Sequence, residues 1–171
     1  LNAYLIQKKD ITWNSSFNIS TNKNTVTSLG TVTQLTRNSG WQGSDGTDDY
    51  LVKVGEPLGL MYGFVTDGYY KIDDFTYNET TKAYTIKPGV PVNSVYGTPQ
   101  PGMLKWKDID GDGLITADKD RTVIGNANPK FIGGWNNQVV YKNFDLSLFL
   151  NWVVGNDIYN ANKIEMTDGA F

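Results

Sequence analysis

The chain has 171 residues, 39% hydrophobic and 13% aromatic, with 18 Gly, 15 basic and 18 acidic side chains and a net charge of −3. That length suffices for one domain with a sizeable core, and the glycine-rich, aromatic balance points to an all-β chain rich in turns. The lack of Cys excludes disulfides and thiol catalysis, the lack of His excludes the Ser-His-Asp and Cys-His triads and the common zinc sites, and the lack of a basic cluster argues against nucleic acid.

Leu1 to Gln7 has the apolar content of a strand, and Lys8-Lys9-Asp10 is a polar turn. Ile11 to Thr21 alternates, with Ile11, Trp13, Phe17 and Ile19 on one face and Thr12, Asn14, Ser16, Asn18 and Ser20 on the other. Thr25 to Tyr50 is dominated by Thr, Ser, Gly, Asn and Asp and is expected to be a long loop with a short strand near Thr31 to Leu35. Leu51 to Tyr70 resumes strand character, broken at Gly55-Glu56-Pro57 and bent at Gly59 and Gly63. Thr66-Asp67-Gly68 reads as a turn, and Asn78 to Lys82 as the tip of a hairpin between Phe75-Tyr77 and Ala83-Ile86. Pro88, Pro91, Pro99 and Pro101 leave little room for a regular ladder.

Asn128-Pro129 introduces a final hairpin that turns at Lys142-Asn143-Phe144. On its second strand Leu146, Leu148, Leu150 and Trp152 share a face, opposite Ser147, Phe149, Asn151 and Val153. On its first strand Trp135, Val139 and Tyr141 share a face with Asn137, while Gly134, Asn136 and Gln138 line the other. A soluble sandwich buries such an apolar face, whereas a membrane barrel turns it to lipid. The longest apolar run, Leu146 to Val154, is broken by Ser147 and Asn151, far from the ~20 apolar residues of a spanning helix. The tail from Asn156 to Phe171 shows no amphipathic helix. Opening on Leu1-Asn2-Ala3-Tyr4, without initiator Met or signal peptide, the chain is expected to be a piece of a longer polypeptide or a mature form.

Between these parts lies Asp108-Ile-Asp110-Gly-Asp112-Gly113-Leu114, which matches the front half of an EF-hand loop. Alternate Asp side chains can converge on one hard cation, and the Leu114 carbonyl falls at the seventh position. The twelfth position holds Lys119 instead of a carboxylate, with Asp118 and Asp120 on either side, so closure needs a shifted loop. Asp108, Asp110, Asp112, Leu114, Asp118 and Asp120 are therefore the candidate ligands of a structural Ca²⁺. The alternative is an Asp/Gly turn held by side-chain-to-backbone bonds without an ion. No other cofactor is called for. The carboxylate pairs Asp48-Asp49 and Asp73-Asp74 read as loop charge, not as an acid/base pair, and Gly55 to Gly63 lacks a phosphate-binding Lys. Trp41, Tyr50, Tyr69, Tyr70 and Tyr96 are aromatics that could stack on sugars, pack under loops or anchor at a membrane interface.

Several long segments resemble the SusC/RagA-type TonB-dependent outer-membrane transporters of Bacteroidetes. They are Gln7 to Leu29, Gly55 to Gly68 (GEPLGLMYGFVTDG), Pro101 to Gly113 (PGMLKWKDIDGDG), Asp120 to Asn137 (DRTVIGNANPKFIGGWNN) and Phe144 to Asn160. The resemblance covers nearly the whole chain, but only the late part of the family's barrel, without the plug and early strands. It implies an all-β fold of antiparallel strands within a large transmembrane barrel of ~22 strands with long extracellular loops. It also implies residence in the bacterial outer membrane, a SusD-like surface lipoprotein and the TonB complex as partners, and oligosaccharide or peptide as cargo. Leu146, Leu148, Leu150 and Trp152 would then face lipid. The residue pattern itself gives about six strands near the ~9–11 residues of a tilted crossing, with short turns at Lys8-Asp10, Thr66-Gly68 and Lys142-Phe144 alternating with long loops. The competing reading is a soluble, secreted β-sandwich that binds carbohydrate through a Ca²⁺-braced loop. An enzyme is disfavoured, because no catalytic pair is present.

Overall fold

The computed structural model describes residues 1–40 and 47–167. Trp41 lies outside the described residues. Fourteen strands and one short helix follow in order: β1 Asn2–Lys8, β2 Ile11–Ser20, β3 Gln34–Arg37, β4 Tyr50–Lys53, β5 Leu60–Phe64, β6 Thr66–Tyr69 and β7 Phe75–Asn78. Next come β8 Ala83–Ile86, β9 Val92–Asn93, β10 Leu104–Trp106, β11 Leu114–Ile115, β12 Arg121–Asn126, β13 Phe131–Tyr141, β14 Phe144–Val154 and α1 Ala161–Thr167. The chain is all-β, and no described helix is long and apolar enough to cross a membrane. It divides into two compact units. One comprises Leu1–Leu35, Val52–Leu60 and the chain from Gly125 onward; the other comprises Thr36–Leu51 and Met61–Ile124.

The first unit is built on an antiparallel sheet in the order β1-β2-β13-β14. Its register sorts side chains as the period-2 alternation predicts. Val139 stands between Trp13 and Leu146, Trp135 between Phe17 and Leu150, and Gly133 between Ile19 and Trp152. On the other face Gln138 stands between Asn14 and Ser147, and Gly134 between Asn18 and Asn151. The indoles of the apolar face find polar partners within it: Trp13 Nε1–H donates to Asn137 Oδ1 (3.1 Å) and Trp135 Nε1–H to Ser15 Oγ (2.9 Å). Asn137 is thus the buried polar anchor of a greasy face. Gly133 must be glycine because Trp152 lies across it, where an added Cβ would come within 2.6 Å of the indole. Phe17 packs against the same indole at 5.7 Å between ring centroids.

Among the described residues of this sheet, Gly134 and Asn137 alone are buried. Leu146, Leu148 and Leu150 are 67, 50 and 43% exposed, and no second sheet among the described residues covers them. β1 and β14 are each paired on one side only. The two tight turns, Lys9-Asp10 and Lys142-Asn143, lie side by side at one end, joined by a Lys142 N–H to Asp10 C=O bond of 2.9 Å. Lys142 takes a φ of +52° to close its turn. At the opposite end β2 leaves and β13 returns directly beside it, with Ser20 opposite Ile132, so residues 21–130 form one excursion between neighbouring strands.

This corrects the expectation of about six long strands. Only β2, β13 and β14, with 10, 11 and 11 residues, have the full length, and β1 adds 7. The remaining strands have two to six residues. Thr66-Asp67-Gly68, expected as a turn, is strand β6, paired antiparallel with β10. The strand expected at Thr31 to Leu35 starts at Gln34. The β7–β8 hairpin stands as expected, with Thr76 opposite Thr85. One two-residue pair, β9 with β11, is parallel, an exception to the antiparallel expectation. The tail carries α1, which the sequence pattern did not signal: it is under two turns long, and Asn160 Oδ1 caps it by accepting from the Lys163 N–H (3.0 Å).

The second unit has the buried core that the long sheet lacks. Leu51, Met61, Tyr70, Phe75 and Ile115 are all buried. Tyr70, expected among the exposed aromatics, is 1% exposed; Tyr69 and Tyr96 are exposed. The Tyr70 hydroxyl donates to Pro91 C=O (2.8 Å) and accepts from Asn93 N–H (3.1 Å), tying down the proline-rich stretch, and burial pushes its pKa up. Phe75 meets Tyr70 and Tyr84 edge-on at 6.0 Å. Arg121 stacks 4.5 Å over the Tyr62 ring and donates to the Asp48 carbonyl. Asp73 and Asp74 lie in a 3₁₀ turn, where Asp74 caps the Lys71 N–H (2.8 Å).

Candidate functional site

The acidic loop runs from the end of β10 to the start of β12. Short Asp side chains compete for nearby backbone N–H groups, and here they win repeatedly. Asp108 accepts from Gly111 (2.7 Å) and Gly113 (2.8 Å), both at positive φ, and Asp112 accepts from Leu114 (2.8 Å). Asp120 closes the loop. Fully buried, it accepts from Ile109 N–H (2.7 Å) through one oxygen and from Thr116 N–H (2.8 Å) through the other. It stands one residue past the twelfth position of the EF-hand pattern and closes the loop through these backbone bonds.

Three of the expected ligands come together: single carboxylate oxygens of Asp108, Asp110 and Asp120 lie within 4.8 Å of one another. The other two carboxylates do not join them. Asp118 is exposed, and Asp112 is drawn to Lys119, whose Nζ lies 2.6 Å from it and 3.3 Å from Asp110. Ligand spacing marked Lys119 only as a departure at the twelfth position and missed its pairing with Asp110 and Asp112; a cation set among five Asp residues was the available signal.

The same contacts set the titration. The Lys119 hydrogen bond, then the Leu114 N–H, hold the Asp112 carboxyl below its usual range; Asp112 and then Asp110 hold the Lys119 ammonium above its own. A lowered carboxylate contributes stability above its unfolded pKa and loses it as pH falls through the folded value. A raised ammonium contributes below its unfolded pKa and loses it as pH rises through the folded value. The protection factor of the Leu114 amide, its exchange relative to the intrinsic rate at each pH, is therefore expected to fall at both extremes and to stay level between them. A single step at neutral pH would contradict the pairing.

In the first unit, an asparagine clasp joins the segments at the open end of the long sheet. Asn24 Oδ1 accepts from Leu58 N–H (2.7 Å), and its Nδ2 donates to Asn128 Oδ1 (3.0 Å). Asn128 Nδ2 donates to the Leu58 carbonyl, Ala127 N–H to Gly59 C=O (2.9 Å), and Asn126 N–H to Asp157 (2.8 Å). A polar cleft of about 590 Å³ beside it is lined by Asn22, Lys23, Lys130, Asn156 and Asp157 among others. Three separate segments noted in the sequence, around Gly55, Asn126 and Gly155, thus meet at one place.

No protein-family model matches the chain. Curated relatives do. TonB-dependent receptor P3 of Formosa agariphila is 32% identical over 170 residues, which is 99% of this chain and 16% of that protein. TonB-dependent receptor P39 of the same organism is 31% identical over 90% of the chain and 16% of its own length, and receptor P26 is 27% identical over 94% and 14%. The chain spans about a sixth of the length of these relatives. All-β and alternating, with tight turns at one end of its long sheet, it is related over nearly its full length to a stretch of TonB-dependent receptors.

Proposed function

We propose that this chain is a wall-and-loop segment of an outer-membrane TonB-dependent importer of the SusC/RagA type, neither an enzyme nor a free-standing binder. The uncovered apolar face of the β1-β2-β13-β14 sheet carries this reading. Leu146, Leu148, Leu150 and Trp152 are oily on one side of a ribbon whose other side is rich in amides and hydroxyls, the arrangement a barrel wall needs between lipid and a wet lumen. Its unpaired edges would be intolerable in lipid, so further strands of a longer chain complete the barrel. The tight turns belong on the periplasmic side, and the excursion of residues 21–130 on the outside. There it contributes to a vestibule for oligosaccharide or peptide cargo, capped by a SusD-like lipoprotein, with the TonB complex driving uptake through a plug elsewhere in the parent chain. The three converging carboxylates offer hard oxygen donors suited to a structural Ca²⁺, which would brace this loop and take no part in transport chemistry.

The test is purification of the intact parent protein with and without detergent. It is expected to need detergent and to bring down its surface lipoprotein together with a bound glycan or peptide. A segment that folds as a monodisperse monomer in water would refute the wall reading in favour of the soluble sandwich. Titration with Tb³⁺ in the Ca²⁺ site, read by luminescence, tests the ion separately; no signal removes the metal and leaves the transporter reading intact.

A further inference from the structure

The polar cleft of about 590 Å³ lies at the end of the long sheet where residues 21–130 leave β2 and return to β13, wholly within the first unit. Its volume is that of a small-ligand site, about 300–1,000 Å³. Lys23 and Lys130 are its cations; both are exposed, and no described carboxylate forms an ion pair with either. Asp157 is the one described carboxylate in the lining, and it is already engaged. It accepts from the Asn126 N–H (2.8 Å), and its own N–H donates back to the Asn126 carbonyl (2.8 Å). Asn22, Asn126 and Asn156 add amides, a group that both donates and accepts. No aromatic or branched aliphatic side chain lines the cleft.

Four segments hold its shape. Asn24 ties the first to Leu58 and Asn128, and the Asn126–Asp157 pair ties in the fourth. Pro57 and Pro129 stiffen two of the walls. Lys130 is itself positioned: its N–H donates to Val154 C=O (2.8 Å), and its stem lies across Gly155. Gly155 has a φ of +84°, and an added Cβ there would come within 2.7 Å of Lys130 Cγ. Glycine at this position is what lets the lysine stem cross the neighbouring chain.

We propose that this cleft binds an acidic oligosaccharide, with a carboxylate or sulfate ester on Lys23 and Lys130 and sugar hydroxyls on the asparagine amides. The inference rests on the reading of residues 21–130 as the outer, cargo-facing part of an importer, and narrows that cargo to anionic glycans. Two cations without carboxylate partners select for an anion. Amides suit hydroxyls, whereas peptide side chains would ask for apolar pockets that this lining lacks. Calorimetric titration of the intact parent transporter in detergent tests it, with trigalacturonate, a chondroitin sulfate tetrasaccharide, neutral maltotriose and the peptide triglutamate as probes. At least one acidic saccharide is expected to bind more tightly than maltotriose, and more weakly as salt is raised. Lys23→Gln with Lys130→Gln should weaken that binding on the order of tenfold and leave maltotriose unchanged. Lys23→Arg with Lys130→Arg should keep most of it, and both positions are exposed, so neither pair disturbs the fold. Triglutamate binding as tightly, with the same dependence on the lysines, overturns the saccharide assignment in favour of acidic peptide. Binding of neither acidic saccharide, equal affinity for acidic and neutral ones, or a preference untouched by the substitutions overturns this site and leaves the wall reading standing. A parent protein that needs no detergent overturns the importer reading instead.

Discussion

Lysine in place of Leu150 is expected to destabilise the intact parent protein by about 2–4 kcal/mol if, as proposed, this face meets lipid, because it would set an ammonium group near the middle of the hydrocarbon layer. Leu150 sits mid-strand on β14, opposite Trp135 and 43% exposed. Lysine at its neighbour Asn151, on the polar face opposite Gly134, is expected to cost about 0–0.5 kcal/mol, as for an ordinary surface change. The contrast is the informative quantity. In water a half-exposed leucine on a sheet accepts lysine with little penalty, so only a nonpolar solvent separates the two positions. Guanidinium unfolding of both variants in phospholipid vesicles measures it. Equal midpoints for Leu150→Lys and Asn151→Lys would mean that water, not lipid, wets the face.

Alanine in place of Asp120 is expected to cost about 3–5 kcal/mol in the stability of the unit that holds the acidic loop. The side chain is fully buried and is the acceptor for both Ile109 N–H and Thr116 N–H. Removing it leaves two buried donors without partners, at about 1–3 kcal/mol each, together with a small cavity. Asp118→Ala, at an exposed position two residues away, is expected to change stability by less than about 0.5 kcal/mol. Amide exchange at Ile109 and Thr116 follows the loop directly. Exchange as slow in Asp120→Ala as in Asp118→Ala would show that the loop is held by something else.

The long ribbon was legible because each of its strands alternates over seven to eleven residues, and because Lys-Lys-Asp and Lys-Asn are turn sequences. Its neighbours were not legible. Nothing local tells β2 that it pairs with β13, since that choice is made by the match of Trp13 to Val139 and Phe17 to Trp135 across residues 21–130. The six-strand expectation failed for a related reason. Between Leu51 and Tyr70 apolar residues outnumber polar ones, but Gly55, Pro57, Gly59 and Gly63 break every run, and the short strands there are set by contacts such as the Tyr70 hydroxyl with Pro91 and Asn93. In the acidic loop the spacing identified Asp108 and Asp110, and Asp120 only as one of two alternatives. It could not show that Lys119 would turn back onto Asp112 and Asp110, because a lysine stem can reach in any direction. The asparagine clasp depends on Asn24 meeting Asn128, a pairing invisible without the fold.

Ser20 and Ile132 face each other across one rung, so residues 21–130 leave and rejoin the ladder at the same level. A protein built this way can lengthen, shorten or exchange that whole appendage while every rung below keeps its partner.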